Sequence, residues 1–203
     1  MAIAARVLVT DLGSVLFDFD PARRLDLLST RTGLAPEELD RRLFASGFET
    51  RCEAGEFTAA EIRDEVERLT GFDGGLDELI GLWTSAFRLN REVLDALTGN
   101  GLPLAVFSNN GPLFADGFDE RFPEAARWFR HRYFACRLRV RKPEEAAFAE
   151  VERRLRSAVD AAPRDLLFID DDRENTARAA SRGWQVHTFA SPDSLRTVLA
   201  ADF

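Results

Sequence analysis

Hydrophobic and polar positions alternate between two periods along this chain. Residues 5–11, "ARVLVTD", are a short Val-rich apolar run that predicts a buried strand ending at Asp11. "LGSVLFDFDP" then predicts a turn and extended chain, with Gly13 permitting a tight turn. From Pro21 to about Leu89 the spacing becomes helical. "PARRLDLLSTRTG" stops at Gly33, and "APEELDRRLFASG" starts near Pro36 and stops at Gly47. "TAAEIRDEVERLTG" carries Thr58 and Glu61 as a capping box, and "GLDELIGLWTSAFRL" completes the block. The block predicts a four-helix insertion without strands.

Beyond it, strands and helices alternate. "NREVLDALTGNG" predicts a helix and "LPLAVFSNN" a strand. "PEAARWFRHRYF" predicts a helix, and "FACRLRV" a short strand or extended piece. "PEEAAFAEVERRLRSA" predicts a strong helix with Pro143 at its start. "DLLFIDD" (strand), "RENTARAASRG" (helix), "WQVHTF" (strand) and "SPDSLRTVLAA" (helix) follow. This alternation predicts an α/β fold, a doubly wound parallel sheet covered on both faces. Ligands of such sheets sit beyond the carboxyl ends of the strands.

Composition narrows the function classes. The chain has 203 residues, is 45% hydrophobic and 31% charged, and carries a formal charge of -8. That is a globular composition of one domain with a modest insertion. No dense cationic block is present, which argues against nucleic-acid binding. No run of 18 apolar residues is present, so no membrane span is expected, and the N-terminus reaches Asp11 too early for a signal peptide. A cytoplasmic protein is expected. Cys52 and Cys136 lack metal or disulfide spacing and are expected as buried free thiols. His131 and His187 show no triad spacing. The aromatic residues of "LWTSAFRL" and "RWFRHRYF" are expected in the core rather than on an interface.

The candidate chemistry lies at the predicted strand ends. Asp11 ends the first strand, Ser108 and Asn109 end the second, and Asp170, Asp171 and Asp172 end a third. Carboxylates without a His or Cys cluster suit a hard divalent cation, which would relieve the self-repulsion of the triple acid. Asp11 could act as a nucleophile through an aspartyl-phosphate. Ser108 and nearby backbone N–H groups could hold phosphate oxygens. Among 27 Lys and Arg residues, Lys142 is the only lysine, and it precedes a predicted helix. An ammonium on a slim stem fits a crowded phosphate pocket where a planar guanidinium does not.

Taken together, "VLVTDLGSVLFD", "LAVFSNN", "RKPEEAAFAEV" and "LLFIDDDREN" resemble, in order, the four motifs of the haloacid dehalogenase (HAD) superfamily. The helical block resembles a C1-type cap, and "CEAGEFTAAEI" within it resembles the E-x-G-x-hydrophobic-S/T stretch of such caps. The DLG form of the first motif is nearest to the glucose-1-phosphate phosphatase-like branch. The resemblance implies a Rossmann-like core of residues 1–18 and 90–203 and a helical cap of residues 19–89. It implies Asp11 as nucleophile and magnesium ligand, and the Gly13 carbonyl, Asp171 and Asp170 as the rest of the Mg²⁺ site. It implies Ser108 and the Asn109 backbone as phosphoryl ligands, with Lys142 bridging the phosphoryl group and Asp11. The implied activity is Mg²⁺-dependent hydrolysis of a small phosphorylated substrate, a sugar phosphate among the possibilities.

One position departs from the pattern. Most phosphatases of the superfamily carry a second aspartate two residues after the nucleophile, where this chain has Gly13. General acid–base help is worth about 10²–10⁴-fold. Asp18 and Asp20 are nearby acids, expected to cap the turn into the insertion rather than to substitute. The alternatives are a dehalogenase, whose branch also lacks that aspartate, and a weakly catalytic phospho-ligand-binding module. The substrate and the oligomeric state are not legible in the sequence.

Overall fold

The computed structural model describes residues 5–200. The expected core limits and the last residue of the final expected helix extend outside that range. The central strand β1 (Val7–Thr10) is buried along its whole length. It pairs in parallel with β4 (Leu104–Ser108) and β6 (Leu166–Asp170), and the outer strands are β5 (His131–Phe134) and β7 (Gln185–Thr188). The sheet order is β5-β4-β1-β6-β7, all parallel, as the alternation predicts.

Side chains of alternate strand residues serve opposite faces. Leu8, Val106, Leu167 and Ile169 pack on one side with α6 (Arg91–Thr98), α7 (Pro112–Arg121) and α12 (Pro192–Ala200). Val7, Val9, Phe107 and Phe168 pack on the other with α10 (Glu145–Val159) and α11 (Arg173–Ser181).

In the chain between β1 and β4, a separate two-stranded sheet forms, β2 (Phe17–Phe19) with β3 (Phe87–Leu89), antiparallel. These two strands hold the entry and exit of the helical insertion side by side. The insertion has five helices rather than four: α1 (Pro21–Thr32), α2 (Pro36–Leu43), α3 (Phe48–Glu53), α4 (Ala59–Thr70) and α5 (Leu76–Thr84). The short α3 shows too few turns for a period to register. The Thr58–Glu61 capping box forms at the start of α4. Leu28, Leu39, Ile62, Val66 and Leu79 build a separate hydrophobic cluster, joined by Leu113 from α7.

Local corrections follow from tertiary context. "PEAARWFRHRYF" splits into α8 (Pro123–Ala126) and the strand β5, because His131–Phe134 pair with Ala105–Ser108 of β4. "FACRLRV" contains a helical turn, α9 (Ala135–Leu138), instead of a strand. The left-handed residue after β1 is Ser14, at φ 59, and not Gly13. Helix α10 begins at Glu145, beyond Pro143; the residue before a proline is biased away from helix. Trp83, Phe129, Tyr133 and Phe134 are buried as expected, whereas Trp128 is 44% exposed. Both cysteines are free and buried, and burial pushes their thiols up to about 12 and about 11, so neither is an activated nucleophile.

One contact ties the insertion to the sheet layer. Gly55, at φ +76, brings the turn after α3 against α9, where a Cβ would lie 2.4 Å from the Cys136 carbonyl oxygen. Gly55→Ala therefore combines a left-handed φ with a backbone collision. The expected loss is on the order of 2–4 kcal/mol in urea unfolding, and a loss under about 0.5 kcal/mol would show that the turn moves freely.

Candidate active site

The strand register brings the candidate residues to one rim. Thr10 is level with Val106 and Ile169, so Asp11, Ser108 and Asp170 emerge together at the carboxyl end of the sheet. The Asp11 N–H donates to the Ile169 carbonyl at 2.8 Å, extending the ladder by one residue.

Lys142 reaches this rim from the segment before α10. Its ammonium lies 2.9 Å from Asp11 Oδ1 and 2.6 Å from Asp170 Oδ2, with a side chain only 1% exposed. The rings of Phe107 and Phe168 lie 5.4 Å from it. Burial by itself lowers its pKa, but Asp11 and Asp170 outweigh burial and hold it above the ordinary lysine value. The Asn109 side chain positions the segment, because its Nδ2 donates to the Lys142 carbonyl and its Oδ1 accepts from the Lys142 N–H, both at 2.9 Å.

Asp170 is fully buried. It accepts hydrogen bonds from the Asp172 N–H at 2.8 Å and from Asn175 Nδ2 at 3.1 and 3.2 Å. With Lys142 these contacts fill its lone pairs. Burial and the charge of Asp11 push its carboxyl up to about 6, against the pull of Lys142. Asp171 is exposed and is also raised, by burial and by Asp11. Asp172 caps α11, accepting from the Glu174 and Asn175 N–H groups.

The carboxylates of Asp11, Asp170 and Asp171 offer oxygen atoms within 4.8 Å of one another. Asp11 Oδ1 is buried and has no hydrogen bond, although the ammonium is 2.9 Å away; the two are close without being aligned as donor and acceptor. An all-oxygen cluster with an unsatisfied buried carboxylate atom fits a hard dication such as Mg²⁺.

A cavity of about 310 Å³ opens over this cluster. Its floor is Asp11, Gly13, Ser108, Asn109, Lys142 and Asp171, and its roof includes Phe19 and Phe87 from the strand pair and Glu49 and Glu53 from α3. Six of the seven residues expected at the site line this one cavity; Asp170 lies beneath it. At Gly13, a Cβ would meet only a Phe87 ring carbon, at 3.8 Å. Neither its backbone nor its surroundings exclude a side chain there.

Sequence reasoning missed the roof. Arg141 Nη2 donates to Glu53 Oε2 at 2.6 Å across 88 residues of chain. Arg24, 2% exposed, holds Glu49 at 3.0 Å. No sequence pattern pairs such distant residues. Asn175 was also missed, though its place in the first turn after the Asp172 cap points it toward the rim. Asp20 caps α1 as expected, whereas Asp18 pairs with Arg88 at 2.7 Å and accepts from Asn90 at 3.1 Å.

The chain matches no protein-family profile and no curated protein sequence. Solved structures do match it. A HAD family enzyme from Bacteroides thetaiotaomicron superposes with a TM-score of 0.74 at 21% identity, over 92% of this chain and 94% of that one. The same enzyme has been solved in complex with magnesium and inorganic phosphate. A predicted HAD-like family hydrolase from Porphyromonas gingivalis aligns at a TM-score of 0.71 and 23% identity, over 91% and 90% of the two chains. The L-2-haloacid dehalogenase of Xanthobacter autotrophicus, with chloropropionic acid covalently bound, aligns at 0.61 and 16%, over 90% and 76%. The protein therefore has the HAD-type α/β fold with a helical cap region. Among the described residues, no helix is long and apolar enough to cross a membrane.

Proposed function

We propose that this chain is a HAD superfamily hydrolase that cleaves small phosphomonoesters with Mg²⁺ through an aspartyl-phosphate on Asp11. In this reading the core domain is residues 1–18 and 90–203, of which 5–18 and 90–200 are described, and the cap is residues 19–89. The observation that carries this reading is Lys142, buried between Asp11 and Asp170, on a rim whose third acid is Asp171.

Asp11, the Gly13 carbonyl and Asp171 would hold magnesium, with Asp170 orienting the cluster from beneath. Bound there, the ion supplies positive charge to the phosphoryl oxygens. Ser108 and the Asn109 backbone hold the phosphoryl group, and Lys142 balances its charge against Asp11. The Asp11 carboxylate attacks phosphorus, the ester oxygen leaves, and water then releases phosphate from Asp11. The cap roof limits which leaving groups fit and restricts water during the first step. A carboxylate cluster on the floor disfavours the anionic 2-haloacid of the dehalogenase alternative.

Phosphate release from sugar phosphates, nucleotides and p-nitrophenyl phosphate tests this reading. The expected outcome is turnover with Mg²⁺ that chelator removes and Mg²⁺ restores. Halide release from 2-haloacids in chelator would support the dehalogenase reading instead. Absence of both, with retention of a bound phospho-ligand, would support a binding module.

A further inference from the structure

We propose, resting on the phosphatase reading, that Glu53 of the cap is the general acid–base that position 13 does not provide. Cleaving an alkyl ester of phosphate leaves an alkoxide unless a proton reaches the departing oxygen. The residues nearest in sequence to the vacant position are committed elsewhere: Asp18 to Arg88 and Asn90, and Asp20 to the start of α1. Asp171 belongs to the carboxylate cluster with Asp11 and Asp170, and Asp172 is engaged as the cap of α11. Among the described residues, the further carboxylates lining the cavity come from α3, Glu49 and Glu53.

Their partners separate the two. Glu49 faces Arg24, whose side chain is 3% exposed and whose guanidinium lies 4.4 Å from the Phe44 ring and 4.7 Å from the Trp83 ring. Protonating Glu49 would strand a buried cation. Glu53 faces Arg141, whose side chain is 30% exposed, so water can compensate when Glu53 takes a proton. The Arg141 guanidinium binds Glu53 through Oε2, and among the described residues Oε1 has no hydrogen-bond partner. Arg141 is the chain neighbour of Lys142, and Glu53 lines the same cavity as Lys142, Asp11 and Ser108.

The surroundings of Glu53 support proton exchange near neutrality. Burial pushes its carboxyl up to about 7, the adjacent Glu49 adds to the rise, and Arg141 and Arg24 partly offset it. Of the helices packed on α3, α2 commits Glu38, Arg41 and Arg42 to one another, and α9 commits Arg137 to Asp116. A group of this acidity can give a proton and then take one back. As Asp11 attacks and the P–O bond to the leaving group breaks, the electron pair goes to the ester oxygen, which takes the Glu53 proton and departs as an alcohol. The Glu53 carboxylate then takes a proton from the water that attacks the phospho-aspartate. The P–O bond to Asp11 breaks, phosphate leaves, and both residues return to their starting states.

Glu53→Gln, which keeps the size and a hydrogen bond to Arg141, tests this with two leaving groups. For an alkyl phosphate that the wild type turns over, kcat/KM should fall by about 10²-fold or more. For p-nitrophenyl phosphate, whose leaving group needs little protonation, the fall should be at least about tenfold smaller. In the wild type, kcat/KM for the alkyl ester should decline as pH rises through about 7, because Glu53 must be protonated; in the variant that limb should be missing. Equal losses for both substrates, or no loss, would overturn the inference and leave a structural role for the Glu53–Arg141 pair. If Glu53→Gln does not fold, Glu53→Asp withdraws the carboxyl by one carbon and should produce the same leaving-group selectivity. Wild type that releases no phosphate from any ester overturns the phosphatase reading and this inference with it. Wild-type turnover with an unselective variant overturns this inference alone.

Discussion

Lys142→Ala should destabilise the metal-free protein by roughly 3–5 kcal/mol, because it leaves buried carboxylate charge without its partner. Asp170 is fully buried, and after the change only the Asn175 amide and the Asp172 N–H face its carboxylate. Urea unfolding at pH 8 in chelator measures the loss. The pH dependence has a definite sign. The Asp170 carboxyl is already raised from 3.8 to about 6 by burial and Asp11, and Lys142 opposes that rise. Without Lys142 the rise grows. A carboxyl with a raised folded-state pKa penalises the fold above that pKa and ceases to do so as pH falls toward the unfolded value. The deficit of Lys142→Ala should therefore shrink as pH is lowered from 8 through about 6 toward 4. A deficit independent of pH would mean that lost packing between Phe107 and Phe168, and not charge, is what Lys142 contributes. Lys142→Arg should also lose phosphate release, since a planar guanidinium does not fit a slot whose occupant is 1% exposed.

Asp11→Asn should reduce phosphate release by at least about 10³-fold, the scale seen when a nucleophile is removed from a machinery that acts as a unit. It should not weaken the fold. Asp11 and Asp170 share one ammonium, and Asp11 is among the causes that raise the Asp170 carboxyl. An amide at position 11 removes that repulsion, so the thermal midpoint in chelator should stay level or rise. Activity falls while the thermal midpoint does not, which separates loss of chemistry from loss of structure. Rapid quenching with substrate should give a phosphorylated wild type and an unmodified variant. Turnover retained in Asp11→Asn would end the aspartyl-phosphate reading.

The sheet was legible because its strands are buried on both faces. "VLVT" and "LLFID" are buried throughout and apolar except for Thr10 and Asp170 at their ends, and local composition alone separates them from the helices. The edge was harder: His131–Phe134 carries His and Arg, and only its pairing with β4 makes it a strand. The carboxylates on the rim were legible because each directly follows or ends a readable strand. Lys142 was legible as a lone lysine among arginines and as a partner for Asp11, but its second partner, Asp170, was not, since no local spacing links residues 142 and 170.

What the sequence determined by itself was therefore the alternation of strands and helices, the helical insertion, and the residue types at the strand ends. These depend on neighbours a few residues apart, whose spacing is written directly in the chain. What only the tertiary structure decided was the burial of Lys142 between two carboxylates, the Asn109 clamp on its backbone, and the Glu53–Arg141 pair across the cavity. Those depend on which distant segments the packed cores bring together, and on how burial raises or lowers a proton affinity. Neither quantity is a property of any local stretch of sequence.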